Sequence, residues 1–241
     1  MNQPANYIRR IEIDGLWERI DIAWDLRPDV NILSGINGIG KTTILNCAVG
    51  CLDALSGNRA ASGGFENVHL TFDREDAGLV RYDLVRSFAY AREQDKRLAE
   101  LSSRYAGLPP GGAKELLVRQ LDTLFGYTGK QLETGSTELC FRQAGERLPL
   151  TKLSSGEKQM LIILLTVLLR AGVPCVLFMD EPEASLHIEW QQKLIGLIRA
   201  LNPQVQLILS THSPAVIMEG WLDAVTEVSD ISSPHHALAA Q

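Results

Sequence analysis

The stretch from Val30 to Thr43 reads VNILSGINGIGKTT and joins a short apolar run to a glycine-rich loop that ends in a lysine. It fits the spacing GxxxxGK[ST] at every fixed position, and apolar residues at helical spacing follow from Ile44 to Leu55. Glycines let backbone N–H groups turn inward around phosphate oxygens, and the positive end of the following helix points at the same place. The order strand, loop, helix therefore predicts a phosphate-binding loop in an α/β fold.

The chemistry of the loop residues suggests their individual roles. We expect Lys41 to reach the β and γ phosphates of a nucleotide and the Thr42 hydroxyl to complete a Mg²⁺ shell. A glycine-rich turn with a structural role alone would not need Lys and Thr at these positions. The predicted nucleotide-binding residues of the loop are Gly35, Asn37, Gly38, Gly40, Lys41, Thr42 and Thr43.

A second apolar strand, Val176 to Met179, leads into the acidic pair Asp180 and Glu181. Ligands of open α/β sheets bind at the C-terminal edge of the strands, which is where this pair is expected. We expect Asp180 to hold Mg²⁺, directly or through water, and Glu181 to accept a proton from an attacking water. Two acids after an apolar strand are alone more typical of a strand-end loop, so the phosphate loop makes the pair specific.

The final third of the chain alternates helices with apolar strands. Helices are predicted over Glu157 to Leu169 and Leu186 to Leu201, and strands over Cys175 to Met179 and Val205 to Leu209. This alternation predicts a parallel sheet covered on both faces. The fold class expected is α/β, with a mainly parallel sheet flanked by helices.

An antiparallel side sheet is predicted nearer the N-terminus. Tyr7 to Ile13 and Trp17 to Leu26 are expected strands on either side of an Asp14-Gly15 turn. Val68 to Phe72 and Leu79 to Val85 predict an antiparallel hairpin, joined by a charged turn.

Residues 91–135 differ in character and are interpreted as a helical insertion. Polar Arg92 to Arg104 and amphipathic Lys114 to Phe125 predict two helices separated by a Pro-Pro-Gly-Gly break, and a further strand is expected over Thr137 to Arg142. Between Arg74 and Lys130 ten Lys and Arg stand against eight Asp and Glu, whereas the whole chain carries −6. A solvated helical face explains this balance, and a contact with nucleic acid or a partner is the alternative.

Leu153 to Gln159 reads LSSGEKQ and precedes a long predicted helix. As a bare pattern it is a Ser-rich helix N-cap. Together with the phosphate loop and the Asp-Glu strand it resembles the signature sequence of ABC-type ATPases, with Ser155 and Glu157 where transporters usually show Gly and Gln. The resemblance implies that this signature loop contacts the γ-phosphate of ATP held by the other subunit of a dimer, through Ser154, Ser155, Gly156 and Glu157.

The segment Ser210 to Pro214, reading STHSP, completes the resemblance. It implies that His212 is the switch histidine that senses the γ-phosphate and positions the water beside Glu181, although a lone His at a strand end is usually structural. The run EPEASLH from Glu181 to His187, followed by STHSP, is similar to the OLD-like, RecF and SMC-related ATPases of DNA repair and phage defence. The implied organisation is one ATPase domain over residues 1–228 and a flexible tail over 229–241.

The function expected from this resemblance is an ATPase that uses ATP and Mg²⁺ and forms a homodimer through its ATP sites. A separate effector chain, a nuclease or a toxin, is the expected partner, and DNA is a possible one. The ATP-binding subunit of a membrane transporter is the alternative. A catalytically silent scaffold is disfavoured because the motif residues are intact. A GTPase is disfavoured because no Asn-Lys-x-Asp motif occurs, and a small-molecule kinase because it would not explain the signature loop.

Other residues allow weaker assignments. Gln94 is the nearest candidate for the family's nucleotide-linked glutamine, although a solvated helix residue is the simpler interpretation. Tyr7, Trp17 and Trp24 are candidates for stacking on adenine, and none is assigned.

Composition narrows the class of protein. The composition, with 45% hydrophobic and 22% charged residues, is typical of a globular protein. The net charge of −6 argues against a surface that coats nucleic acid. The longest apolar stretch, Met160 to Leu169, is too short to span a bilayer. The first residues lack a secretory signal, so a cytoplasmic location is expected. The four cysteines are expected to be buried thiols.

Overall fold

The computed structural model describes residues 3–58, 64–88, 90–133 and 139–235. The strands are β1 (Ile8–Leu16), β2 (Ile20–Asp25), β3 (Val30–Ser34), β4 (Asn67–Phe72), β5 (Tyr82–Arg86), β6 (Lys130–Leu132), β7 (Phe141–Gln143), β8 (Glu146–Leu148), β9 (Cys175–Asp180), β10 (Val205–Ser210), β11 (Val225–Glu227) and β12 (Ser232–Pro234). The α-helices are α1 (Lys41–Leu55), α2 (Ala91–Ala106), α3 (Gly112–Phe125), α4 (Ser155–Leu168), α5 (Ile188–Leu201) and α6 (Pro214–Met218).

The chain divides into two compact units. The first comprises residues 1–85, 174–181 and 204–241, and the second comprises residues 86–173 and 182–203. The phosphate loop and the ends of β9 and β10 belong to the first unit, and the signature loop belongs to the second.

A five-stranded sheet with the order β11-β3-β10-β9-β5 forms the centre of the first unit. β3, β9, β10 and β11 pair in parallel, which confirms the expected parallel sheet. The β9–β10 register places Asp180 opposite Ser210 at the C-terminal edge. Helix α1 packs its apolar residues into the same core cluster as Val176, Phe178 and Ile208. The sheet therefore brings the ends of β9 and β10 together where ligands of such folds bind.

The antiparallel side sheet is also present, with the order β12-β2-β1-β4. Alternate side chains of β1, among them Ile11 and Ile13, are fully buried. The turn between β1 and β2 is centred on Trp17 and Glu18, which have φ of 56° and 58°, so the expected turn at Asp14-Gly15 is displaced. The reason is that β1 runs through Gly15 to Leu16, with an irregular register after Ile13.

The predicted hairpin of the Val68 and Leu79 segments is wrong. β4 pairs antiparallel with β1, whereas β5 joins the edge of the central sheet beside β9. The Val176 N–H donates to the Arg81 carbonyl at 2.8 Å, just before β5 begins. Alternation of apolar residues predicted both strands correctly, but it does not specify which strand each one pairs with.

The expected loose tail from residue 229 does not hold over the described residues up to 235. Ser232–Pro234 pairs antiparallel with β2, and His235 donates its backbone N–H to the Arg19 carbonyl at 2.8 Å. The His235 side chain lies 2.7 Å from the Asp21 carboxylate and 3.3 Å from that of Glu66. Main-chain pairing and a buried imidazole fix this segment, and residues 236–241 lie outside the described part of the chain.

The second unit contains α2 to α5 and a three-stranded antiparallel sheet with the order β6-β7-β8. Helices α2 and α3 occupy the two helical segments that the sequence predicts. Helix α4 is buried along most of its length and contacts α2, α3 and α5. The ring of Phe125 stacks at 5.4 Å on Trp190 of α5 and lies 5.3 Å from Phe141 of β7. Residues 134–138, where part of one strand was expected, lie outside the description, and the insertion boundary at 91–135 stays a prediction.

The four cysteines are free thiols, and Cys47, Cys140 and Cys175 are buried as expected, whereas Cys51 is half-buried. Burial raises the pKa of the Cys47 thiol to about 11. Among the residues that the structure describes, the helices lack the combination of length and apolar character that a membrane span needs.

Candidate active site

The phosphate loop connects β3 to α1 in the first unit. Gly38 and Gly40 have φ of 80° and 109°, values that favour glycine. Gly40 is the N-cap of α1, and no side chain caps this helix end. An uncapped helix N-terminus behind a glycine turn directs backbone N–H groups and the positive end of the helix dipole toward one point. The loop has the local geometry of an anion cradle.

Lys41 places a cation within this loop. Its side chain is 5% exposed, and Nζ donates to the carbonyls of Gly35 at 2.8 Å and Ile36 at 3.2 Å. These bonds hold the ammonium group over the turn, where it adds positive charge to the backbone N–H groups.

Asp180 forms a polar cluster with two hydroxyl groups. Its Oδ1 accepts from Thr42 Oγ1 at 3.0 Å and from Ser210 Oγ at 2.6 Å. The cluster thus joins the end of β9, the end of β10 and the first turn of α1. Thr42 and Asp180, the two residues predicted to hold Mg²⁺, therefore lie side by side.

Glu181 lies directly beyond β9 in a left-handed backbone conformation with φ 46°. Its N–H lies 3.2 Å from both the carbonyl and the hydroxyl oxygen of Ser210, which fix this unusual backbone. The carboxylate Oε1 lies 3.1 Å from His212 Nε2. Both side chains remain partly exposed, at 42% for Glu181 and 35% for His212. A non-glycine residue held at positive φ is typical of functional sites.

A cavity of about 490 Å³ gathers these groups. Of the predicted residues it is lined by Asn37, Gly38, Gly40, Lys41, Thr42, Thr43, Glu181 and His212, and Trp17 also lines it. Gly35 instead supplies the carbonyl that accepts from Lys41. A Cβ on Gly40 would lie 2.5 Å from the far edge of the Trp17 ring, so a side chain here would have to displace that ring.

The residues around the cavity fit a magnesium nucleotide. Hydroxyl and carboxylate oxygens are the protein ligands that Mg²⁺ prefers, and it is commonly bound through one or two such groups together with substrate phosphates. Thr42 Oγ1 and Asp180 Oδ1 are two such oxygens 3.0 Å apart. The glycine cradle and Lys41 provide the positive potential that polyphosphate needs.

The signature loop belongs to the second unit and is built as a capping box at the start of α4. Ser154 Oγ accepts from the Glu157 N–H at 3.3 Å, and Glu157 Oε2 accepts from the Ser154 N–H at 2.8 Å. Ser154 and Ser155 are exposed, whereas Glu157 is 1% exposed. The loop therefore presents its two serines to solvent while Glu157 holds them from beneath.

This geometry corrects the role given to Glu157. The sequence placed it among the nucleotide-binding residues, but its carboxylate is occupied by Ser154, by Lys130 Nζ at 2.7 Å and by Thr128 Oγ1 at 3.1 Å. Burial raises the pKa of Glu157, but the hydrogen bonds from Lys130 and Ser154 outweigh it and keep the pKa below its ordinary value. Glu157 is an ionised residue that shapes the loop.

Gly156 and Ser155 contact two other segments of the second unit. A Cβ on Gly156 would lie 2.4 Å from the Ser185 carbonyl oxygen, which explains the glycine. Gln94 of α2 donates from Nε2 to the Ser155 carbonyl at 3.0 Å and is 3% exposed. The interpretation of Gln94 as a solvated helix residue is therefore wrong, because this side chain is buried against the signature loop.

The structure thus brings the phosphate loop, Asp180, Glu181 and His212 together, and places the signature loop in the other unit. Sequence reasoning missed Ser210, although aligning the apolar runs of β9 and β10 would have placed it opposite Asp180. It also left Trp17 unassigned and gave no role to Lys130. For Lys130 no sequence signal was available, because its partner lies 27 residues away.

The chain is similar to proteins named for ATP binding. The chain is 25% identical over 219 residues to the ribose import ATP-binding protein RbsA of Streptococcus agalactiae, and these residues are 88% of this chain and 40% of that protein. It is 29% identical over 207 residues to a putative ABC transporter ATP-binding protein of Synechocystis, covering 83% of this chain and 62% of that protein. A shorter match, 30% identical over 84 residues, relates 30% of this chain to 16% of the "Retron Vc95 probable ATPase" of Vibrio cholerae.

The chain therefore spans only 40% and 62% of the length of the first two relatives. Among solved structures, an SMC head bound to the C-terminal winged-helix domain of ScpA superimposes with a TM-score of 0.60, at 13% identity and with coverage of 95% of this chain and 97% of that one. The SMC head domain of Thermotoga maritima gives 0.56 at 16% identity, covering 94% and 97%. These likenesses establish the α/β P-loop NTPase fold.

A family model matches residues 88–219, which are more than half of the chain. That segment includes the signature loop, the Asp180-Glu181 pair and His212. The chain therefore belongs to the family described as "AAA domain, putative AbiEii toxin, Type IV TA system".

Proposed function

We propose that this chain is a Mg²⁺-dependent ATPase, two copies of which close around two ATP molecules, and that this closure controls a separate effector protein. The observation that carries the proposal is the convergence of Lys41, Thr42, Glu181 and His212 on one cavity, with Asp180 hydrogen-bonded to Thr42. These are the groups that phosphoryl transfer to water requires.

The proposed chemistry follows from the positions of these side chains. Lys41 and the glycine cradle bind the phosphates, and Thr42 and Asp180 would hold Mg²⁺. When bound, the ion neutralises charge that develops on the phosphate oxygens. Glu181 accepts a proton from water because its carboxylate faces the cavity and Asp180 is engaged elsewhere. His212, 3.1 Å from Glu181, orients that carboxylate.

Closure of a dimer would supply the remaining donors. The exposed Ser154 and Ser155 precede the N-terminus of α4, where hydroxyl groups and helix N–H groups favour an anion. In the proposed dimer, this signature loop approaches the γ-phosphate of ATP bound to the other copy. ATP then bridges the two chains, and hydrolysis releases them.

The effector role is supported by the family and by one relative. The family description names a putative toxin of a toxin–antitoxin system, and one relative is named a retron ATPase. We propose a nuclease or toxin as the effector, in a cytoplasmic defence or repair system, and place the chain in the OLD-like, RecF and SMC-related branch. The run from Glu181 to His187 supports this branch.

A transporter ATPase is the second candidate, because the first two relatives carry transporter names. Transporter subunits typically show Thr-Ser-Ala-Leu-Asp after the Asp-Glu-Pro, where this chain has Glu183 to His187. A pull-down from native cells with Glu181→Gln and ATP separates the candidates. Recovery of an integral membrane protein supports transport, and recovery of a nuclease or toxin supports the effector role.

DNA is a further proposed partner, through the exposed basic side chains Arg92 and Lys96 of α2. Charge reversal of both should weaken DNA binding and reduce its salt dependence while leaving ATP turnover unchanged. Binding that is equally tight and equally salt-dependent would remove DNA from the proposal.

The catalytic assignment is tested by comparing Glu181→Gln with Asp180→Asn at saturating ATP and Mg²⁺. Gln keeps the size of the side chain but cannot accept the proton, so turnover should fall by about 10²- to 10⁴-fold with ATP still bound. Asp180→Asn should weaken nucleotide binding as well as turnover, because the metal site is damaged. Wild-type turnover in Glu181→Gln, or equal ATP affinity in both variants, would contradict the separate roles.

A further inference from the structure

A buried ion pair lies directly beneath the signature loop. Lys130, the first residue of β6, places Nζ 2.7 Å from Glu157 Oε1, and the two side chains are 12% and 2% exposed. The other carboxylate oxygen, Oε2, accepts from the Ser154 N–H at 2.8 Å. One carboxylate therefore connects a lysine of the three-stranded sheet to the exposed serine of the loop.

The charge of Glu157 makes this lysine necessary. The Glu157 side chain, at 2% exposure, has almost no access to water, and removal of its cation would leave a buried charge uncompensated. Thr128 Oγ1 lies 3.1 Å from Oε1, but its single proton also has the Phe125 carbonyl as an acceptor at 2.9 Å, and a neutral hydroxyl cannot balance the charge. A neutral glutamine has nearly the same shape and could still accept the Ser154 N–H without needing a cation.

The backbone on either side of Lys130 is bonded to other segments of the second unit. The Leu132 N–H of the same strand donates to Asp122 of α3 at 3.0 Å, and Gln143 of β7 donates to the Thr128 carbonyl at 2.8 Å. The strand that carries Lys130 and the turn before it are therefore bonded to α3 and β7, and a movement of β6 would be transmitted through Lys130 to Glu157.

We propose that Lys130 is a positioning residue for the signature loop, which it holds through Glu157 so that Ser154 can complete the nucleotide site of a second copy. The last step rests on the proposed function. The positioning itself does not, because the contacts lie within one chain. The three-stranded sheet thereby becomes a place from which a partner could control ATP-dependent closure.

The test uses Lys130→Met, which keeps length and removes charge, and the double variant Lys130→Met with Glu157→Gln. Lys193→Met, at an exposed position of α5, is the matched control. Backbone amide exchange of Ser154 and Glu157 is measured without ATP, and dimer formation is then titrated with ATP. Lys130→Met should speed exchange at these amides by about tenfold or more, because an unpaired buried charge loosens the cap.

The double variant should return exchange close to the wild-type rate and restore dimer formation, because it removes the uncompensated charge together with its partner. A folding defect of Lys130→Met that does not come from the unpaired Glu157 charge would not be repaired by the second substitution. If Lys130→Met does not fold, recovery in the double variant supports the proposal, and failure of both overturns it.

The two readouts separate this inference from the proposed function. Unchanged amide exchange in Lys130→Met overturns the positioning role. Faster exchange with unchanged ATP-dependent dimer formation overturns the link from Lys130 to the nucleotide site. A wild-type protein that forms no dimer with ATP contradicts the proposed function, whereas faster exchange in Lys130→Met with rescue by Glu157→Gln would still support the positioning role.

Discussion

The substitution Gly156→Ala tests how closely the signature loop is packed. The added Cβ would lie 2.4 Å from the Ser185 carbonyl oxygen and 3.4 Å from its carbonyl carbon. Because both atoms belong to the backbone, neither can rotate away, and the start of α4 or the segment at Ser185 must move by several tenths of an ångström or more. Overpacking of this kind costs about 1–3 kcal/mol.

The matched control is Gly196→Ala in α5, a helix of the same unit. A Cβ at Gly196 meets nothing within 4 Å, so this alanine should stabilise the protein by about 0.5–1 kcal/mol. Urea unfolding gives the free energies of both variants, and light scattering with ATP reports dimer formation. Gly156→Ala should be destabilised and should dimerise poorly while its monomer still binds ATP. Wild-type stability and wild-type dimer formation in Gly156→Ala would refute the close packing and its role.

Three further predictions concern single side chains. Lys41→Ala should abolish ATP binding or misplace the phosphates, because it removes the cation held over the loop. Calorimetric titration with Mg²⁺ and ATP checks this, and unchanged affinity and hydrolysis would exclude the phosphate-loop assignment. Ser154→Arg should leave ATP binding to the monomer intact and block ATP-dependent dimer formation, since a bulky cation would enter the γ-phosphate site of the other copy. A dimer as stable as that of the wild type would argue against this contact between copies. The hydrogen bond to Asp21 raises the pKa of His235 above its ordinary value of 6.5, with Glu66 adding to the effect. The stabilisation from this pair should be full below pH 6.5 and should decline as the pH rises through the raised pKa of His235. The unfolding free energy that His235→Gln loses relative to wild type should therefore shrink across that pH range. A loss that does not vary with pH would contradict this prediction.

The sequence predicts the first unit's site well because parallel strands end at a common edge. The phosphate loop follows β3, the Asp180-Glu181 pair ends β9, and His212 follows β10, so apolar runs alone place these groups together. Alignment of the ends of β9 and β10 would also have placed Ser210 opposite Asp180. Each of these motifs is a local stretch of sequence, so recognising it requires no knowledge of contacts between distant residues.

The remaining features depend on partners that local sequence does not specify. The alternation of apolar and polar residues predicted β4 and β5 as strands. It did not indicate that β4 pairs with β1 at the edge of the side sheet or that β5 lies beside β9 at the edge of the central sheet. Gln94 meets Ser155 across 61 residues, and Lys130 meets Glu157 across 27, with no periodic signal to connect them. The strand at Ser232–Pro234 is short, so neither its composition nor its length distinguishes it from a tail.

The central claim, that ATP closes two copies of this chain around shared sites, is tested most directly by the mass of Glu181→Gln in solution. Light scattering measures this mass with Mg²⁺ and either ATP or ADP at equal saturating concentration. We expect a stable dimer with ATP and a monomer with ADP, because the γ-phosphate would be needed to hold the facing signature loop and the variant cannot remove it. The same mass with either nucleotide would contradict the claim.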